Sequence, residues 1–197
     1  MSSVDGFSYE AWTLQGPRTG TGSPEGVVAA PVGTEYVDTA ATNGAIKWIK
    51  ATGTGNTGWR VLYGDTGVRN VTSLLTSTWR AASSTVTVTR TGDTVVLSLN
   101  VSVSAGTLLQ WWPTILTLPQ GFRPASQVKA VLPDTWLGWE QGPLVVAASP
   151  APGGFVALET PLDEMTVPSG EGAKRFTASM MYPTTDPWPT VLPGTPA

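Results

Sequence analysis

Apolar and polar residues alternate with period two along several stretches of the chain. The clearest runs from Thr85 to Val103. Val86 and Val88 alternate with Thr85, Thr87 and Thr89 up to Arg90, then Thr91-Gly92-Asp93-Thr94 supplies a tight turn. Val95, Leu97, Leu99, Val101 and Val103 share one face of the returning strand. A second alternating run sets Phe176, Ala178, Met180 and Tyr182 against Thr177, Ser179 and Met181. Helical periodicity is almost absent, so the chain is expected to be all-β.

Shorter elements precede these. Tyr36-Val37-Asp38 and Ala45 to Lys50 read as strands, Thr52 to Gly58 as a glycine-rich turn, and Trp59 to Leu62 as the strand returning from it. Such a three-stranded meander buries little by itself, and with Ile46, Trp48, Trp59 and Val61 it carries more apolar surface than it can hide. It is therefore expected to assemble with further copies of the chain through those four residues, and threefold packing is one arrangement that would bury them. The style of the sequence changes around Gly64-Asp65-Thr66-Gly67. Three regions result: residues 1–21, polar and glycine-rich with isolated Phe7, Tyr9, Trp12 and Leu14; a small β module over 22–70; and a larger β domain over 71–197. Thr72 to Trp79 suits either a short helical turn or a lead-in strand. Prolines at 183, 187, 189, 193 and 196 exclude a helix or a central strand at the end, which should lie extended over the surface.

Composition narrows the chemistry. The 197 residues contain no Cys and no His, which removes thiol nucleophiles, disulfides, thiolate or imidazole metal sites and the Ser–His–Asp triad. No Ser-x-x-Lys motif supports a Ser–Lys dyad. Carboxylates pair at Asp163-Glu164 and at Asp134/Glu140, but nothing indicates two acids facing across a cleft, and no EF-hand spacing appears. No catalytic residue, metal or cofactor is expected, and the chain is read as a non-enzyme. A net charge of −3, with Lys174-Arg175 as the longest basic run, argues against nucleic acid. No apolar run is long enough to span a membrane, and the first residues lack the pattern of a secretion signal.

Two further features bear on chemistry. Gly53-Thr54-Gly55-Asn56-Thr57-Gly58 matches the spacing of a dinucleotide fingerprint, but Trp59-Arg60-Val61 continues as strand, not helix, so a plain turn is the better reading. Nine tryptophans are far above ordinary usage. Core or interface packing suits Trp48, Trp59 and Trp79. Trp136 and Trp139 instead lie in Pro133 to Pro143 with Asp134, Glu140 and Gln141. Aromatic faces beside polar groups suit a sugar, which stacks its C–H face and hydrogen-bonds through its hydroxyls. Packing in the core remains the other reading of these two indoles.

Two stretches carry a family resemblance. Residues 22–61, with Gly33-x-x-Tyr36-x-Asp38-Thr39 and Gly53-Thr54-Gly55-Asn56-Thr57-Gly58-Trp59, resemble a module of bacteriophage tail-fibre and minor tail proteins. Leu118-Pro119-Gln120-Gly121-Phe122-Arg123-Pro124 and Trp188 to Gly194 resemble head-domain features of the same proteins, particularly in phages of actinobacteria. The resemblance implies a homotrimer with a β-sandwich, jelly-roll-like head. It implies a virion location after synthesis in the host cytoplasm, with residues 1–21 docking on other virion proteins and the head meeting host cell-surface saccharide. The alternative is a structural capsid fibre, decoration or tail-tip protein without a receptor role.

Overall fold

The computed structural model describes residues 16–81, 83–110, 113–131, 145–148, 153–159, 164–167 and 173–197. The protein is all-β, and no helix of seven or more residues occurs among the described residues. It divides into two compact units between Tyr63 and Gly64.

The first unit is a four-stranded sheet in spatial order β1 (Arg18–Gly20), β2 (Glu35–Asp38), β3 (Ala45–Lys50) and β4 (Trp59–Gly64). Strands β2 and β3 pair antiparallel with Tyr36 opposite Trp48. The expected meander is present, with one addition. Strand β1 pairs in parallel with β2, Arg18 opposite Tyr36, so residues assigned from sequence to the attachment segment complete this sheet. Alternation along β3 puts Trp48 and Lys50 in the same phase, and both are buried. On the other phase Lys47 meets Glu35 at 2.7 Å, a half-exposed pair that contributes little.

The second unit begins at Gly64, so residues 64–70 belong to it and not to the preceding module. Strands β5 (Arg69–Asn70), β6 (Thr85–Thr91), β7 (Thr94–Val103), β14 (Lys174–Pro183) and β15 (Thr195–Pro196) form a five-stranded sheet in the order β14-β7-β6-β5-β15. The hairpin read from sequence is β6–β7, closed with Thr91 opposite Thr94. Strand β14 runs antiparallel to β7 over its whole length, from Lys174 opposite Val103 to Pro183 opposite Thr94. Thr72 to Trp79 forms two single 3-10 turns, Thr72–Leu74 and Ser77–Trp79.

A four-stranded sheet faces the same core. It contains β9 (Thr114–Thr117), β10 (Val128–Val131), β11 (Val145–Ala148) and β12 (Phe155–Glu159), in the order β10-β11-β12-β9. A separate two-stranded ladder joins β8 (Leu108–Gln110) to β13 (Glu164–Thr166). One apolar cluster contains Val86 and Leu97 of the larger sheet, Ile115 and Val156 of the smaller, and Trp79, whose ring meets Phe176 edge-on at 5.7 Å. Each such side chain removed from water contributes about 1.5–3 kcal/mol, so this shared core is what holds the two sheets together.

The proline-rich end departs from expectation. It does not simply overlie the surface: Thr184, Trp188 and Pro189 are buried, and Thr195–Pro196 pairs with β5 as an edge strand. Proline survives there because an edge strand can leave one side of its backbone unpaired.

Candidate functional site

The residues expected to bind saccharide, Asp134, Trp136, Trp139, Glu140 and Gln141, lie outside the described residues, as do Asp163 and the tryptophans at 12, 111 and 112. The strands on either side of residues 132–144 are described. Strands β10 and β11 pair antiparallel from Val128 opposite Ala148 to Val131 opposite Val145. The two ends of that segment therefore stand on neighbouring strands of the four-stranded sheet, anchored by Val128 and Ala130, which pack on the core.

The four expected trimer residues separate into two kinds. Trp48 and Trp59 are only 7% and 6% exposed within the single chain. The Trp59 indole N–H donates to the Val28 carbonyl at 2.8 Å, and its ring meets Tyr36 edge-on at 6.0 Å. The premise that both tryptophans need a partner chain to cover them is thus corrected: both are buried within the single chain, and Trp59 takes its partners from residues 24–30 of the same unit. What stays open is Ile46, 39% exposed, and the half-buried Val61, with Leu62 and Tyr63 exposed on the same strand as Val61.

The glycine-rich loop is held from two sides. Lys50, fully buried, donates from Nζ to the carbonyls of Gly55 and Thr57. Glu25 accepts the N–H groups of Gly58 and Trp59 at 3.2 and 2.8 Å. The two N–H groups at the end of the loop are thus occupied by the protein's own carboxylate, and the loop leads into strand β4, not the helix a phosphate loop opens. Asp38 does comparable work at the neighbouring turn. Its Oδ1 accepts from Gly22 at 2.8 Å and Ala40 at 2.9 Å. Burial pushes its pKa up, but the N–H groups of Ala41, Gly22 and Ala40 outweigh that and hold it below the usual carboxylate value.

In the second unit the main polar centre is Arg90. The guanidinium is buried beneath residues 186–188 and donates to Gly92 O at 2.8 Å, Gly121 O at 2.7 Å, Pro187 O at 3.0 Å and Asp186 O at 3.1 Å. Trp188 covers it at 4.8 Å. Burial lowers the pKa of Arg90, and Asp93 and Asp186 oppose that by favouring the cation. The Asp186 carboxylate in turn receives the N–H of Gly121 at 2.8 Å. With four bonds to main-chain oxygens and the Asp93 carboxylate 3.7 Å away, Arg90 holds structure.

Lys50 and Arg90 were not singled out from sequence, although a signal existed. Both close an alternating run in the inward phase, Lys50 after Trp48 and Arg90 after Val86 and Val88. A cation in an apolar register announces a buried charge with dedicated acceptors.

Among the described residues no group of three or more acids stands close enough to hold a metal ion, and no helix is long and apolar enough to cross a membrane. Comparison of the chain with protein-family models and with curated proteins gives no match.

Proposed function

We propose that this chain is a bacteriophage virion fibre protein, a homotrimer whose C-terminal unit is a β-sandwich head that binds host cell-surface saccharide. The part of residues 1–21 that precedes β1 attaches it to other virion proteins, and it performs no catalysis. The observation that carries this reading concerns the residues behind the resemblance. Tyr36, Asp38, Gly58 and Trp59 are the ones that hold the first unit together, through the Tyr36–Trp59 ring contact, the Asp38 turn and the Glu25 clamp on Gly58 and Trp59. These four are positions a shared module would need to keep, although Gly33, Thr39 and Gly53 to Thr57 of the same motifs are exposed.

The second unit suits a head in architecture. Two sheets on one core form a rigid base, and such a base presents binding groups on its connections. The connection between β10 and β11 carries Trp136 and Trp139, with Asp134, Glu140 and Gln141 as hydrogen-bonding partners for sugar hydroxyls.

One observation favours the alternative, a structural capsid fibre, decoration or tail-tip protein. Trp48, Trp59, Trp79 and Trp188 are all at least nine-tenths buried, so every described tryptophan packs and none offers a face to a sugar.

Fluorescently labelled protein incubated with candidate actinobacterial host cells separates the two. The receptor reading expects saturable binding that free cell-wall polysaccharide inhibits, lost in Trp136→Ala and Trp139→Ala with the melting temperature unchanged. Binding retained by both variants moves the contact away from Trp136 and Trp139, and binding absent from wild type while antibody to the protein labels virions leaves the structural role.

A further inference from the structure

After β14 the chain crosses from one edge of the five-stranded sheet to the other. It leaves β14, the first strand of that sheet, and ends as β15 beyond β5, the last. On the way it is fastened at successive strands. Thr184 N–H donates to Asp93 O in the β6–β7 turn at 2.8 Å. Arg90, at the end of β6, takes the carbonyls of Asp186 and Pro187, and Trp188 lies over its guanidinium. Arg69 of β5 takes the carbonyls of Pro193 and Gly194, both at 3.0 Å. Thr195 then pairs with Asn70, and Ala197 N–H donates to Val68 O at 3.0 Å.

Most of these fastenings are hydrogen bonds to the segment's main chain, and few of its side chains are buried. Beyond Pro189 none is, and Thr190, Val191 and Gly194 to Ala197 are exposed. The free energy needed to open a segment rises with the apolar surface it buries, so this one should open well below the global unfolding free energy. When it opens, strand β5 loses its outer neighbour and becomes an unpaired edge.

We infer that residues 184–197 are a detachable strap, and that the seat it vacates accepts the same segment from a second copy of the chain. The second copy is the fitting occupant because it brings the features the seat selects. It supplies an indole for the cover over Arg90 and Gly64, where a Cβ on Gly64 would fall 2.7 Å from the Trp188 ring. It also supplies glycine at 194, where φ is +57° and a Cβ would collide with the Asn70 carbonyl. An exchanged strap makes the same contacts as its own, so exchange costs little beyond association. The inference does not depend on the fibre reading.

The test uses full-length protein and a labelled peptide of residues 184–197. In the Trp188→Ala protein the chain's own strap is weakened while Arg90 and Arg69 remain, so the peptide should bind at least about tenfold tighter than to wild type. A peptide carrying Trp188→Ala should not compete. Amide hydrogen exchange is the second measurement. The amides of Thr184 and Ala197 should exchange at least about tenfold faster than those of β7, and Gly194→Ala should accelerate them without changing β7. Strap and β7 amides exchanging at one rate, a folded Trp188→Ala protein that binds no peptide, or a Trp188→Ala protein that cannot fold would each overturn the inference.

Discussion

The Lys50 ammonium lies 5.8 Å from the centroid of the Trp59 ring, inside the first unit, while its protons go to the carbonyls of Gly55 and Thr57. Trp59 itself is bonded at both nitrogens, its main-chain N–H to Glu25 and its indole N–H to Val28. A buried cation and an exposed carboxylate thus brace opposite polarities of one loop, the carbonyls from Lys50 and the N–H groups from Glu25. The arrangement makes the loop a rigid part of the sheet, and its glycines are not equivalent.

Gly58 has φ of +92°, and a Cβ there would collide with the carbonyl of Thr52. Gly55 has open space around it and no positive φ. Gly58→Ala should therefore destabilise the first unit by about 1–3 kcal/mol, whereas Gly55→Ala should be neutral or stabilising by up to about 1 kcal/mol. Chemical denaturation followed by tryptophan fluorescence distinguishes them, and equal effects would contradict the assignment of strain to position 58.

Asp38 makes the first unit sensitive to acid. Its folded-state pKa is depressed, so the stability it contributes is present above the ordinary carboxylate value, about 3.9. That contribution is lost as pH falls through the lower folded value. Melting temperature measured between pH 2 and 7 should decline at the acid end, and Asp38→Asn should flatten that part of the curve. A variant with the wild-type acid slope would place the sensitivity elsewhere.

Tyr182 acts at the other end of the scale. Its hydroxyl donates to Phe122 O at 2.9 Å in the buried core, and burial pushes its pKa far above the usual tyrosine value. The stability it contributes is fully present below about pH 10, where the unfolded chain keeps the phenol protonated. It is lost as pH rises above that toward the folded value. Tyr182→Phe leaves the Phe122 carbonyl without this donor and should cost about 1–2 kcal/mol at neutral pH, while removing part of the alkaline decline. Urea unfolding at pH 7 and pH 10.5 measures both.

Assembly gives the fourth expectation. Light scattering should report a particle of three times 20.6 kDa. Ile46, exposed in the single chain, and Trp48, buried in it, should respond differently. Ile46→Asp should dissociate the trimer and leave the fold intact. Trp48→Ala should cost about 3–5 kcal/mol of folding stability, whatever the assembly. A concentration-independent monomer in the wild type would remove the trimer from the proposal.

By itself the sequence determined the all-β class and the strands with strict alternation. The β6–β7 hairpin and β14 follow from Val95 to Val103 and Phe176 to Tyr182, because period-two spacing allows one buried face only on a strand. It also determined that thiol and imidazole chemistry are absent, since no Cys or His exists to supply either. Tertiary structure decided what spacing does not encode. Arg18–Gly20 joins the first sheet in parallel, a pairing between segments far apart in sequence that neither signals alone. Trp48 and Trp59 are buried within their own chain, and for Trp59 residues 24–30 return to the sheet to meet it. Lys50 became a buried cation because the glycine-rich loop that follows it curls its carbonyls back, and Arg90 because carbonyls of Gly121, Asp186 and Pro187, far away in sequence, converge on it. For the same reason the proline-rich end became a strap: what proline forbids is legible locally, but the open edge at Arg69–Asn70 exists only once the sheet has formed.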